Sequence, residues 1–270
     1  MSRCRPGERG FALPLVILIA LVASLTIGLI LMRHGSSHVA VERQIEVYRN
    51  HHRHMGVQEL IDRWLATTRG SVRERLGDGG LAFELAVPGS TIRVYLEDAQ
   101  GAALEDLQSL HGPETRYARR MLSILDASAI TSTDEGRSLV FRKEGPGRVS
   151  IHTARPEVLD ALAQSVAPTG AWERFSREIQ QRRSQRELIA GDVRGAGTDA
   201  GLSGEEVTGL EMMLTAEPTL WKVTVLLSGT GRREGAQGLI EVASEPSSMG
   251  RATRFLTWRD LKPDDDGHVR

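Results

Sequence analysis

The chain has 270 residues, with 34 lysines and arginines against 35 aspartates and glutamates and a formal net charge of −1. That balance lacks the basic excess of a nucleic-acid binder, so no nucleic acid is expected among the partners. The single cysteine, Cys4, excludes an internal disulfide framework.

The N-terminus organises the rest. Residues 1–10 form a short basic leader, with Arg3, Arg5 and Arg9 against Glu8, and it ends in Gly10. Residues 11–32 follow without a charge, and as a helix they span roughly 33 Å, enough to cross a bilayer. An ordinary secretory signal has a shorter apolar run and a small-residue cleavage site, whereas here Arg33-His34 follows at once. Two readings remain. One is a plain signal anchor. The other is a prepilin-type leader, cut between Gly10 and Phe11, which leaves the transmembrane helix on the mature chain. The position of Arg9-Gly10-Phe11 at the head of the spanning segment favours the second. In that case Leu15 is the fifth mature residue.

Beyond the membrane, residues 33–76 read as a stem helix without proline, with Val41, Ile45, Tyr48, Val57, Leu60, Ile61, Trp64 and Leu65 in one stripe. It holds His34, His38, His51, His52 and His54. Pairs three or four apart share a face, but no further ligand type accompanies them, so the expectation is a solvated face and no metal site. A glycine-rich break at Gly77, Gly79 and Gly80 ends the stem. Leu81, Phe83, Leu85 and Val87 then alternate as a strand, and Pro88-Gly89-Ser90 turns into a second strand through Ile92, Val94 and Leu96.

From 102 to 216 the period becomes helical. Leu104, Leu107 and Leu110 predict one short helix, and Tyr117, Met121, Ile124 and Leu125 a second. An extended pair is expected at 139–141 and 149–151 around Gly145-Pro146-Gly147. Pro156 and Glu157 open a helix carrying Val158, Leu159, Leu162 and Val166, and Trp172, Phe175 and Ile179 belong to the next. Leu202, Val207, Leu210 and Leu214 mark a last helix, capped by Ser203 with Glu206 three residues on. The run Gly195–Gly201 mimics a dinucleotide loop by one slipped residue, but no strand precedes it, so it reads as a flexible connection. No nucleophile sits in a recognisable elbow, and the chain is not expected to be an enzyme.

Strands return at Trp221 to Leu227, at 239–243 and at 254–259. The domain reading is therefore a leader at 1–10, a transmembrane helix at 11–32, a stem at 33–76, one antiparallel sheet from 77–101 and 217–262, an inserted all-helical domain at 102–216, and a frayed tail at 263–270. The fold class is α+β, a long N-terminal helix packed on the sheet.

Taken in order, these features resemble the type II secretion minor pseudopilin K family, general secretion pathway protein K. The resemblance is carried by the leader ending in Arg9-Gly10-Phe11 with Leu15 where pilins usually have glutamate, by Glu97-Asp98-Ala99-Gln100-Gly101, by the segment 149–159 (VSIHTARPEVL), and by 255–259 (FLTWR). It implies a pilin-like fold, cleavage by a prepilin peptidase after Gly10, N-methylation of Phe11, and Leu15 as the marker of a tip position. It also implies a single-pass inner-membrane protein with its N-terminus cytoplasmic and its bulk periplasmic, which primes or caps a secretion pseudopilus with other minor pseudopilins and the major pseudopilin as partners. Relatives bind calcium. Ala102-Ala103-Leu104-Glu105-Asp106 stands where Lys-Ile-Asn-Leu-Asn is common, and His152 where asparagine is usual, so no ligands are assigned. The alternative is a membrane-anchored binding or DNA-uptake protein, or a type IV pilus relative, since 149–159 is also similar to helix-hairpin-helix modules. No Gly-x-Gly hairpin follows Leu162.

Overall fold

The computed structural model describes residues 12–67, 71–108, 110–167, 170–229, 233–242 and 253–261. The leader 1–10, Phe11 and the tail 263–270 lie outside them. The chain divides into two compact units, residues 1–61 and 62–270.

Helix α1 runs from Ala12 to Thr67. Its stretch Leu15–Arg33 is, among the described helices, the one long and apolar enough to cross a membrane. Leucines and isoleucines stand exposed all round it, which suits contact with lipid rather than water. Further along, Val41, Ile45 and Tyr48 are also exposed, so the upper half of the expected packing stripe is bare in this unit. The stem expected to reach residue 76 ends at Thr67. There the β-branched Thr67 turns its hydroxyl back to the Trp64 carbonyl at 2.9 Å, and single 3₁₀ turns follow at Arg73–Arg75 and Asp78–Gly80.

In the second unit, β1 (Leu81–Val87) and β2 (Ser90–Asp98) form the expected hairpin, with Val87 opposite Ser90. Pro88 and Gly89 make the turn, and Gly89 takes φ +78°, which the second central residue of a type II turn requires. After it, β3 (Ala103–Leu104) replaces the helix expected around Leu104. The Glu105 amide is bonded to the Arg142 carbonyl, and Asp106 caps a turn by accepting from the Gln108 amide, so the leucines reach the core from a loop.

Helices α2 (Glu114–Asp126) and α3 (Asp134–Val140) come next, the latter capped by Thr133 accepting from the Gly136 amide. Leu139 and Val140 are thus helical. Strands β4 (Phe141–Arg142) and β5 (Val149–Ser150) do not pair with one another as the expected extended pair. β4 pairs in parallel with β3, and β5 pairs in parallel with β6 (Leu214–Thr215), which lies beyond α4 (Pro156–Val166), α5 (Trp172–Gln185), α6 (Ala190–Asp199) and α7 (Gly204–Met213). The block expected to be all-helical therefore carries two short parallel ladders, and Leu214 belongs to one of them. The cap at Ser203 forms in full, its hydroxyl accepting from the Glu206 amide while Glu206 accepts from the Ser203 amide. Gly195 and Gly197, expected in a loop, lie inside α6. A side chain at Gly197 would sit 2.8 Å from Val207 of α7, so the glycine is what lets these helices close. The core of the block gathers Met121, Leu125, Ile151, Leu159, Phe175 and Leu210, each contributing roughly 1.5–3 kcal/mol by burial.

The chain then returns to strands β7 (Leu220–Gly229), β8 (Arg233–Val242) and β9 (Thr253–Leu261). One antiparallel sheet results, in the order β1-β2-β7-β8-β9. Leu96 faces Val223 and Val94 faces Val225, so strands from both sides of the helical block share one buried face. The last turn of α1 lies on it. The Trp64 and Phe83 rings are 6.1 Å apart, and the Thr253 hydroxyl donates to Asp62 at 2.6 Å.

Candidate functional site

Two segments that stood out in the sequence, 97–101 and 149–159, meet where the sheet joins the helical block. Asp98 ends β2, and its carboxylate is only 3% exposed. It accepts from the Gln100 amide at 2.9 Å and from the Ser150 hydroxyl at 2.5 Å. The Ser150 amide in turn donates to the Gln100 carbonyl at 2.9 Å. The Gln100 side chain is buried and satisfied at both ends. Its amide donates to the Arg148 carbonyl, and its oxygen accepts from the amides of Thr219 at 2.7 Å and Leu220 at 3.2 Å. Gly101 completes the joint, since a side chain there would meet the Thr153 carbonyl oxygen at 2.4 Å.

Arg142 holds the same joint from the other side. It donates to the carbonyls of Ala102, Glu144, Pro146 and Arg148, which wraps the 145–147 loop around the guanidinium and explains why no hairpin forms there. Burial pushes its pKa down to about 10, with the charges of Glu241 and Asp98 acting against that. Four carbonyl partners make this an arginine used as a bracket, not as a free charge.

Beside the joint opens a cleft of about 740 Å³, lined by Arg73, Asp98, His152, Arg183, Arg186 and Glu187 among others. Its charges are largely spent on one another. Arg73 pairs with Glu187 at 2.6 Å and lies 3.9 Å from Asp98. Arg183 donates to the Ala154 carbonyl, and Arg186 holds the buried Asp192. Burial alone raises the Asp192 carboxyl. Hydrogen bonds from Arg186 and the Ile189 amide, with the charges of Arg186 and Arg182, overcome it and keep the carboxyl below its ordinary range. His152 places Nε2 2.8 Å from the Ala216 carbonyl, which fixes that nitrogen as the donor. Burial lowers its pKa, and Arg73 adds to the effect, against the Ala216 bond and the charges of Asp98 and Glu187. The Ser150 hydroxyl donates to the Asp98 carboxylate and His152 Nε2 donates to the Ala216 carbonyl, so the imidazole is not the acceptor for the serine hydroxyl. Chemically the site is a latch.

Of the residues picked from the sequence, Gly10 and Phe11 lie outside the described residues. Leu15 sits in α1, 53% exposed. The His51 and His52 rings face each other edge-on at 5.8 Å. Among the described residues no three His, Cys, Asp or Glu side chains group closely enough to hold an ion, so no ligands are assigned to the calcium that the resemblance allows. Sequence reasoning missed Arg142, which joins three carbonyls of the loop that follows it to the Ala102 carbonyl forty residues earlier.

No family model and no curated protein matches the chain. Among solved structures it is similar to a chain of the GspK-GspI-GspJ complex from the enterotoxigenic Escherichia coli type 2 secretion system. The TM-score is 0.46 at 11% identity, covering 84% of this chain and 99% of that one.

Proposed function

We propose that the chain is a minor pseudopilin that primes or caps a secretion pseudopilus from the inner membrane, working with other pseudopilins rather than catalysing a reaction. The observation that carries the reading is α1, a helix of 56 residues. Its apolar stretch Leu15–Arg33 is exposed throughout, and its last turn lies on an antiparallel sheet whose strands come from both sides of a helical block. The ordered motifs from Arg9-Gly10-Phe11 to 255–259 support the same reading. On it, a prepilin peptidase cuts after Gly10, Phe11 becomes the N-methylated first residue, and the bulk of the chain stands in the periplasm. The test is N-terminal peptide mass analysis of the membrane-extracted protein, together with a secretion assay in a strain lacking it. A mature chain starting at methylated Phe11 and a loss of secretion are expected. A chain still starting at Met1, or cut beyond Met32, overturns the proposal.

A further inference from the structure

We infer that a basic cleft on α2 receives a carboxylate-bearing segment of a partner polypeptide. The cleft, of about 790 Å³, is walled by Leu110, Thr115 and the arginines Arg116, Arg119 and Arg120. Steps of three and four residues set the three guanidinium groups on one helix face, and all three residues are exposed. Elsewhere in this unit Arg93 holds Glu84 and Arg194 holds Glu211, while the exposed Arg148, Arg174 and Arg177 pair with no described carboxylate. The α2 arginines differ in lying three together in one cleft. Among the described residues no carboxylate pairs with the α2 arginines. Glu114, two residues before Arg116 and off that face, lies against Gly112. Like charges four apart destabilise a helix, so Arg116 and Arg120 are a cost that this fold does not itself relieve.

A carboxylate seated in the cleft meets the guanidinium forks two bonds at a time. The start of α2 adds its partial positive charge. The occupant is a polypeptide rather than a polyphosphate chain. The patch is small, the chain as a whole carries a net charge of −1 and lacks the broad basic field that a nucleic-acid backbone needs, and Leu110 gives the cleft an apolar wall. The inference stands independently of the filament reading.

The test uses the full chain in neutral detergent and a fluorescein-labelled peptide, (Glu-Glu-Leu-Glu)₂, against its glutamine counterpart. The variant Arg116→Gln/Arg119→Gln/Arg120→Gln is compared with Arg148→Gln/Arg174→Gln/Arg177→Gln, which removes equal charge from other exposed positions. The α2 variant should bind the acidic peptide about tenfold or more weakly, with an unfolding midpoint at or slightly above that of the unaltered chain, and the second variant should bind as the unaltered chain does. Absence of binding by the unaltered chain, equal loss in both variants, or equal binding of the glutamine peptide overturns the inference. So does tighter binding to phosphatidylglycerol vesicles or duplex DNA than to the peptide.

Discussion

The side-chain oxygen of Gln100 accepts a hydrogen bond from the Thr219 amide at 2.7 Å, across 119 residues of chain. Through this bond the end of β2 is held to the start of β7 where the helical block leaves and rejoins the sheet. Gln100→Leu keeps most of the volume but strands the amides of Thr219 and Leu220 and takes from the Arg148 carbonyl one of its two donors, leaving Arg142. Each buried polar group left unpaired costs about 1–3 kcal/mol, so a total loss of about 3–5 kcal/mol is expected. Denaturant unfolding of the full chain in detergent, followed by the fluorescence of buried Trp221, measures it. A change below about 1 kcal/mol would show that water replaces the side chain.

Gly101 tests the same joint by shape. A methyl group there lands 2.4 Å from the Thr153 oxygen and 2.6 Å from its carbonyl carbon, both backbone atoms. Gly101→Ala should therefore destabilise by about 1–3 kcal/mol, the cost of overpacking. Gly79→Ala is a different kind of control, since open space surrounds Gly79 and only its φ of +66° resists the change. Its penalty should be near 1 kcal/mol. A loss at position 101 no larger than that at Gly79 would mean that the Thr153 backbone gives way to the added methyl group.

His152 gives the joint a pH dependence. Burial, first among its influences, favours the neutral ring, so its folded pKa lies below the ordinary value near 6.5. The unfolded chain then takes up a proton before the folded one as pH falls. Stability from this group is complete above about pH 6.5 and is lost as the pH drops from there through the folded pKa. The Ala216 bond needs only Nε2–H and survives in either form, so the loss reflects burial of charge. His152→Asn, the residue usual at this place in the resembling family, should flatten the decline between pH 7 and 5. Denaturant midpoints of both chains across that range decide it; parallel slopes would assign the dependence elsewhere.

How much of this was legible in the sequence depended on whether the signal was local. The hairpin at Pro88-Gly89 needs only a turn and alternating residues, and the start of α7 needs only Ser203 and Glu206. Both were readable. Helix α6 was not, because Gly191, Gly195 and Gly197 speak against a helix one by one. What overrides them is tertiary, since Gly197 makes room for Val207 and Gly195 for Arg182. The pairing of β3 with β4 and of β5 with β6 was hidden for the same reason, since parallel partners lie far apart in sequence. The segment 97–101 attracted attention as a pattern. Its purpose became visible only when Asp98 and Gln100 were seen to hold Ser150 and Thr219. Arg142 gave no sign at all, since one arginine in sequence does not announce four carbonyls.

Leu15 bears on the proposed function. In pilin-like filaments, a glutamate at the fifth mature position neutralises the free amine of a neighbouring subunit within the bilayer, which offsets the burial of either charge. A subunit with leucine there meets no amine and carries no unpaired carboxylate, which suits the first subunit of a filament. In the structure Leu15 is exposed at the start of a stretch of α1 that is apolar all round, with no cationic side chain among its described residues before Arg33. Leu15→Glu should therefore cost up to about 2.5–3.5 kcal/mol, the value for a charge at the bilayer centre, in the membrane-inserted priming complex. At 1.4 kcal/mol per tenfold, that is a drop in initiation of up to roughly a hundredfold, with cleavage after Gly10 intact. Secretion by a strain carrying the variant, read beside leader processing on a gel, gives the answer. Full assembly, with the variant found along the filament shaft and absent from its tip, would overturn the tip position while leaving the cleavage site untouched.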